Sequence, residues 1–126
     1  MRTIQDSGSA DNDGSHDSTD DQVVIALTTW PDEDDAVAAV ARRLVEGGLA
    51  ACVTRLPRHR VTYRWQGAIE EAEEHQWVIK TTRHALPALW EAVRAAHPYE
   101  TPEWLVLDVA GGSDAYLQWV RANTSI

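Results

Sequence analysis

The sequence predicts an α+β domain in which an antiparallel sheet carries helices on one face. Apolar runs rich in β-branched residues, such as residues 23–29, have the length of strands and are too short for helices. Segments with apolar residues at three- and four-residue spacing alternate with these runs and indicate helices. Turn residues separate the segments, so the predicted order is β-α-β-β-α-β followed by one more helix.

The first predicted strand, residues 23–29, ends at Trp30 and Pro31. The four acids at residues 32–35 then provide an N-cap and an acidic first turn, which suit the positive end of a helix dipole. Consecutive helical positions point in different directions, so we interpret these acids as capping residues rather than as a metal cluster. Two glycines at residues 47–48 end the helix by allowing a left-handed φ.

The second and third predicted strands form a long hairpin. The second strand begins at residues 49–53, continues after an interruption and turns at Gln66 and Gly67 into the third strand. If the loop has two residues, Arg60 lies opposite Glu73. The arginine-rich and glutamate-rich strands therefore pair as a ribbon whose charges offset each other, which is not typical of a nucleic-acid surface.

The last predicted elements are a helix, a stiff connector, a strand and a short helix. The first of these helices tolerates Pro87 in its first turn. A connector at residues 97–103 leads into the last strand, residues 104–109, and two glycines at residues 111–112 precede the terminal helix. This order is the ferredoxin-like split βαβ pattern, with two helices on one face of the sheet.

Both faces of the predicted sheet are apolar. In the first strand Val23, Ile25 and Leu27 fall on one side, and Val24 and Ala26 on the other. A sheet with one solvated face should alternate apolar with polar residues, and this one does not. We therefore expect a second copy of the chain to cover the face opposite the helices.

Composition divides the chain into an acidic tail and one domain. Residues 1–22 contain six Asp, one Arg and few apolar residues, so we predict a disordered tail and a single folded domain over residues 23–126. The tail carries five of the nine net negative charges, which argues against nucleic acid and against anionic membranes as partners.

The chain shows no sign of a membrane span or an export signal. No stretch approaches 18 apolar residues, and the N-terminus lacks the basic and then apolar layout of a signal peptide. The single cysteine, Cys52, cannot form an internal disulfide. A reducing, cytoplasmic setting is therefore expected.

The best candidate site is the connector itself, His97-Pro98-Tyr99-Glu100-Thr101-Pro102-Glu103. Each proline fixes its own φ and favours an extended conformation in the residue before it, so His97 is held out of the helix. The polar side chains between the prolines can donate, accept or bind a metal. The simpler alternative is a rigid link between a helix and a strand.

Several motifs together resemble the divalent-cation tolerance protein family CutA. They occur in the family's order and spacing and span nearly the whole predicted domain. The motifs are Leu49-Ala50-Ala51-Cys52-Val53, Tyr63-Arg64-Trp65-Gln66-Gly67, Lys80-Thr81, the 97–103 connector and Tyr116-Leu117-Gln118-Trp119.

The resemblance implies a homotrimer similar to the PII-type signalling proteins, and a role in the response to divalent metals such as copper. It does not imply an enzyme. Some members carry a cysteine where Thr28 stands and a second histidine where Ala96 stands. This chain lacks both of those ligands. A metal site formed by His97, Glu100 and Glu103 would therefore have mixed nitrogen and oxygen ligands and should bind Cu²⁺ or Zn²⁺ with modest affinity.

Two other functions remain open at this point. A small-molecule ligand could lie in a cleft between subunits and touch Tyr63, Trp65, Lys80 and Tyr99. Tyr63 and Trp65 could equally form the core of the ribbon. Lys80 could equally form an ion pair with a carboxylate such as Glu100. An enzyme could use Cys52 as nucleophile and His97 as base, but no orienting motif or phosphate loop accompanies them.

Overall fold

The computed structural model describes residues 21–125. The described residues contain five strands and three α-helices, one strand more than predicted, because the interruption in the second predicted strand divides it into two. The order is otherwise as predicted, and the α+β class is confirmed. No helix in this part of the chain is long and apolar enough to cross a membrane. The elements are β1 (Val23–Trp30), α1 (Asp35–Glu46), β2 (Cys52–Arg55), β3 (His59–Trp65), β4 (Ala68–Thr82), a 3₁₀ turn (Arg83–Ala85), α2 (Leu86–Ala96), β5 (Leu105–Asp108) and α3 (Asp114–Ala122).

The sheet is antiparallel throughout, with the strand order β2-β4-β1-β5. The 15-residue strand β4 pairs with β1 and β2 along its second half, and with β3 along its first half. The β3–β4 pair extends beyond the main sheet as a two-stranded ribbon. Its register places Arg60 opposite Glu73, as predicted.

The turn of the ribbon explains that register. Gln66 and Gly67 have φ values of 51° and 82°, and two consecutive positive φ values are what a two-residue type I′ hairpin loop requires. The loop length fixes which residues face each other along the whole ribbon. Ion pairs between Arg58 and Glu73 at 3.2 Å and between Arg60 and Glu71 at 3.6 Å follow from it.

The main core lies between the sheet and helices α1 and α2. Trp30, Trp77, Ile79 and Leu89 are fully buried there and pack with the apolar sides of both helices. Helix α1 starts where the acidic run predicts, because the Asp34 carboxylate accepts a hydrogen bond from the amide of Val37 at 3.0 Å.

The opposite face of the sheet is covered only at one end. Helix α3 packs Val120 against Val23 and Ala51, so the expectation that a second copy covers this face is wrong in that region, where the chain covers itself. Beyond α3 a surface remains that we name the outer face. Residues that lie directly opposite each other on neighbouring strands point to the same side of the sheet. The outer face therefore contains Ile25, Leu27, Cys52, Thr54, Val78, Lys80, Leu105 and Leu107.

The outer face is apolar at its β5 edge. Leu105 and Leu107 are 55% and 47% exposed, and they lie opposite Leu27 and Ile25 in the register. Strand β5 is also an edge strand, so one row of its backbone groups has no neighbouring strand among the described residues.

The predicted tail lies mostly outside the described residues, which begin at Asp21. Its last two residues are hydrogen-bonded to the domain. The carbonyl of Asp21 accepts from Arg121 Nε at 3.0 Å, and the carbonyl of Gln22 accepts from the amide of Arg83 at 2.9 Å.

Candidate functional site

The 97–103 connector starts at the C-terminal end of α2 and lies beside the end of β1. His97 has φ −79° and ψ 138°, an extended conformation that ends the helix. Pro98 explains this, because a residue before proline disfavours the helical region. The prediction that His97 is held out of the helix is therefore confirmed.

His97 is buried, with 9% of its surface exposed, and both of its ring nitrogens form hydrogen bonds. Nδ1 lies 3.1 Å from the amide nitrogen of Tyr99, and Nε2 lies 2.6 Å from the carbonyl oxygen of Thr29. An amide N–H can only donate, so Nδ1 is the acceptor and Nε2 carries the proton that it donates to Thr29. The ring also stacks on Trp30, with centroids 4.3 Å apart.

Burial keeps this imidazole neutral. Desolvation lowers the pKa of His97 below its ordinary value of 6.5, and the hydrogen bond to the Thr29 carbonyl and the negative charge of Glu74 oppose that shift only in part. The ring is thus a neutral Nε2–H tautomer held between the end of β1 and its own loop.

Tyr99 connects the loop to the base of the ribbon. Its hydroxyl donates a hydrogen bond to the Glu74 carboxylate at 3.1 Å. Burial, this hydrogen bond and the charge of Glu74 raise the pKa of Tyr99 to about 12, so the phenol stays protonated. Glu74 was not among the predicted site residues, because its partner lies 25 positions away along the chain.

The two predicted carboxylate ligands have different surroundings. Glu103 accepts a hydrogen bond from the side-chain amide of Gln76 at 3.1 Å, whereas Glu100 is exposed. Within residues 21–125 no three His, Cys, Asp or Glu side chains lie close enough together to hold a metal ion. A single chain therefore does not assemble His97, Glu100 and Glu103 into one site.

The four residues of the predicted ligand cleft also lie in different parts of the chain's surface. Tyr99 lies at the base of the ribbon, hydrogen-bonded to Glu74. Tyr63, opposite Glu70, and Trp65, at the ribbon tip, are 42% and 51% exposed. Lys80 lies on the outer face, six residues along β4 from Glu74 and so roughly 20 Å away. Within the described part of one chain, the four residues therefore do not line a single cleft.

The cysteine and histidine of the enzyme alternative also have separate neighbours. Cys52 Sγ lies 3.7 Å from both Thr54 Oγ1 and Lys80 Nζ on the outer face. His97 is enclosed by Thr29, Trp30 and Tyr99. The structure does not bring these two side chains together as a nucleophile and a base.

Sequence reasoning missed a second buried histidine beside the site. His75 pairs with Trp30 in the sheet register, and its Nδ1 lies 3.3 Å from the carbonyl of Leu56. Within the described residues, His75 Nε2 and the indole nitrogens of Trp30 and Trp77 have no hydrogen-bond partner. The alternation of buried residues in β4 was the available signal, but the run of glutamates before His75 obscured it.

Known proteins share this fold and these motifs. The family described as CutA1 divalent ion tolerance protein matches residues 24–123, which is most of the chain and includes the connector and the ribbon. The chain belongs to the CutA1 family. The resemblance inferred from the sequence motifs is thereby confirmed.

Individual CutA relatives support the assignment. The divalent-cation tolerance protein CutA of Thermus thermophilus is 46% identical over 100 residues, covering 79% of this chain and 96% of that protein. Protein CutA of Homo sapiens is 45% identical over 102 residues, covering 81% of this chain and 56% of the human protein. The first of these names describes cation tolerance, and neither describes an enzymatic reaction.

Solved CutA structures superpose on the described domain. The structure from Thermus thermophilus has a TM-score of 0.77 at 44% identity and covers 82% of this chain and 99% of its own. CutA from Xylella fastidiosa also has a TM-score of 0.77, at 38% identity, and covers 82% of this chain and 99% of its own.

Proposed function

We propose that this CutA1 chain acts in divalent-cation tolerance as a homotrimer of ferredoxin-like subunits in the cytoplasm, similar in architecture to PII-type proteins. Two surfaces support the assembly. The outer face presents Leu105 and Leu107 to solvent, and the ribbon presents Tyr63 and Trp65. A two-stranded ribbon has no core of its own, so its apolar side chains are stabilised only by contact with another subunit.

The tautomer of His97 is the observation that carries the metal-binding part of this proposal. Histidines that bind metals commonly donate their other ring N–H to a carbonyl or carboxylate, which fixes the ring and the tautomer. His97 already donates Nε2–H to the Thr29 carbonyl, and its Nδ1 carries the lone pair. A cation at Nδ1 would replace the single hydrogen bond from the amide of Tyr99.

Carboxylates of the same connector would supply oxygen ligands. Glu100 is exposed and Glu103 lies against Gln76, so both can move toward His97 without disturbing the core. An imidazole with carboxylates can bind either Cu²⁺ or Zn²⁺, and Cu²⁺ should bind the more tightly of the two. Thr28 and Ala96, at the positions where some members carry softer ligands, keep the expected affinity modest.

Titration calorimetry with Cu²⁺ and Zn²⁺ tests the site. The full chain would carry His16→Ala, so that the imidazole of the acidic segment does not compete. His97→Gln keeps a donor for the Thr29 carbonyl but removes the ligand, and it should abolish one binding event per subunit. Glu100→Gln should weaken that event.

The matched control is His84→Ala, which removes an exposed imidazole outside the connector. It should leave stoichiometry and affinity unchanged. If His97→Gln folds normally by circular dichroism and binds metal as the parent does, His97 is a structural residue and the metal-binding proposal is wrong.

A further inference from the structure

Lys80 is the only lysine of the chain, and it lies in the middle of the outer face. It pairs with Ile25 on one neighbouring strand and with Cys52 on the other. Its Nζ donates a hydrogen bond to Thr54 Oγ1 at 2.9 Å and lies 3.7 Å from Cys52 Sγ. Neither neighbour is a carboxylate.

Most other cations of the domain are paired differently. Six arginines form ion pairs with carboxylates: Arg42 with Glu46, Arg55 with Glu33, Arg58 with Glu73, Arg60 with Glu71, Arg83 with Asp108 and Arg94 with Glu91. Lys80 instead stands among Ile25, Leu27 and Val78 and is half-buried within one chain. An ammonium in apolar surroundings is costly unless an anion binds it.

This inference rests on the proposed trimer. When a second copy covers the outer face, the ammonium of Lys80 loses its remaining contact with water. Thr54 Oγ1 accepts a hydrogen bond from Lys80, and among the described residues its own hydroxyl hydrogen faces only the weak acceptor Cys52 Sγ at 3.7 Å, so it can donate to a stronger acceptor. Together the ammonium and the hydroxyl form a pair of donors suited to one carboxylate group.

We propose that in the assembled protein a carboxylate of a second copy of this chain binds Lys80 and Thr54. The chain has 20 acidic residues against 11 basic ones, so carboxylates are abundant on its surface. Glu70 and Glu100, for example, are exposed and form no hydrogen bond or ion pair within residues 21–125. An intersubunit ion pair at this place would fix the orientation of one subunit on the next.

A zero-length cross-link tests the contact directly. A water-soluble carbodiimide activates a carboxylate, and an amine in contact with it displaces the activated group to give an amide, while the carbodiimide becomes a urea. Lys80 is the only side-chain amine, so the cross-linked peptide identifies its carboxylate by mass spectrometry. We expect the native full chain to yield covalent dimers and trimers joined through Lys80.

Two variants serve as controls. Lys80→Arg keeps the positive charge but offers no amine to the reagent, and it should remain assembled without forming the cross-link. Lys80→Met removes the charge and leaves the partner carboxylate unpaired, so the concentration at which subunits dissociate should rise by at least about 30-fold.

Several outcomes would overturn the inference. An assembled trimer without any Lys80 cross-link would overturn it while leaving the proposed function intact, as would a cross-link within one chain. If no cross-link forms and acetate raises the melting temperature of the parent but not of Lys80→Met, the anion bound at Lys80 comes from solution and not from a second copy of the chain. A monomer by light scattering would overturn the proposed assembly together with this contact.

Discussion

The two halves of β4 have the same backbone conformation and opposite environments. From His75 to Thr81 every second side chain is buried, and Trp77 and Ile79 pack in the core with helices α1 and α2, whereas residues 68–74 are exposed in the ribbon except for the half-buried Ala72 and Glu74. The first environment is complete within one chain. The second leaves apolar residues such as Trp65 and Ile69 exposed within the described part of one chain, which is consistent with the proposed contact between the ribbon and another subunit.

Replacing one tryptophan in each environment should give the largest contrast. Trp77 is fully buried and its ring lies 4.8 Å from that of Trp30, so Trp77→Ala should lower the free energy of unfolding by about 3–5 kcal/mol. Trp65→Ala removes only contacts that the proposed trimer makes, so it should lower the free energy of unfolding by less than Trp77→Ala does. Urea denaturation followed by far-ultraviolet circular dichroism measures both, and equal losses would contradict the division of β4 into two environments.

Charges placed on two exposed apolar positions should sharpen the comparison at the level of assembly. The parent should have a mass of about three times 14.0 kDa by light scattering. Leu107→Glu puts a carboxylate on the outer face and should shift the mass toward a single chain.

Val45→Glu is the matched control for that variant. Val45 is 43% exposed, close to the value for Leu107, but it lies on helix α1 on the other side of the sheet. It should leave the mass unchanged. Dissociation by Val45→Glu with no effect of Leu107→Glu would place the interface on the helical side.

A smaller effect is expected from the protonation of His97 at the edge of the core. Its pKa is lowered in the folded chain, so below pH 6.5 the unfolded chain takes up a proton that the folded chain excludes. The free energy of unfolding should therefore fall as the pH drops from 6.5 to the lower folded pKa. Above pH 6.5 His97 is neutral in both states, so protonation of its ring no longer lowers the free energy of unfolding.

Urea denaturation across this pH range, in the presence of a chelator, measures that slope. His97→Gln should show a flatter dependence, because glutamine does not titrate. The other histidines are common to both proteins and cancel in the difference. Identical slopes for the two proteins would mean that His97 is not the titrating group.

The fold was largely predictable because its signals are local. The strand at residues 23–29 and the two glycines after α1 can be recognised without knowledge of distant contacts. The turn at Gln66 and Gly67 set the ribbon register by its length alone. The position of α3 was not predictable, because whether Val120 packs on the outer side of the sheet depends on contacts roughly a hundred residues apart along the chain.

The candidate site was predictable in composition but not in geometry. The polar density of residues 97–103 identified the segment, yet its composition does not show what surrounds the His97 ring. The amide of Tyr99 makes Nδ1 the acceptor, and the carbonyl that accepts the Nε2 proton belongs to Thr29, which lies 68 residues earlier in the chain. The partner of Tyr99 was hidden for the same reason, because Glu74 belongs to a glutamate run that the ribbon pairing already explained.

Strand β4 belongs both to the ribbon and to the main sheet, and these two parts should form at different times during folding. The ribbon closes around a two-residue loop, and hairpins of this kind form within microseconds. The pairing of Val23 with Thr82 must close a loop of nearly sixty residues. Closing this long loop costs more conformational entropy, so the pairing forms more slowly. Newly made chains should therefore display the aromatic side chains of the ribbon before the main sheet exists, and rapid encounter with sister chains would limit aggregation at this stage.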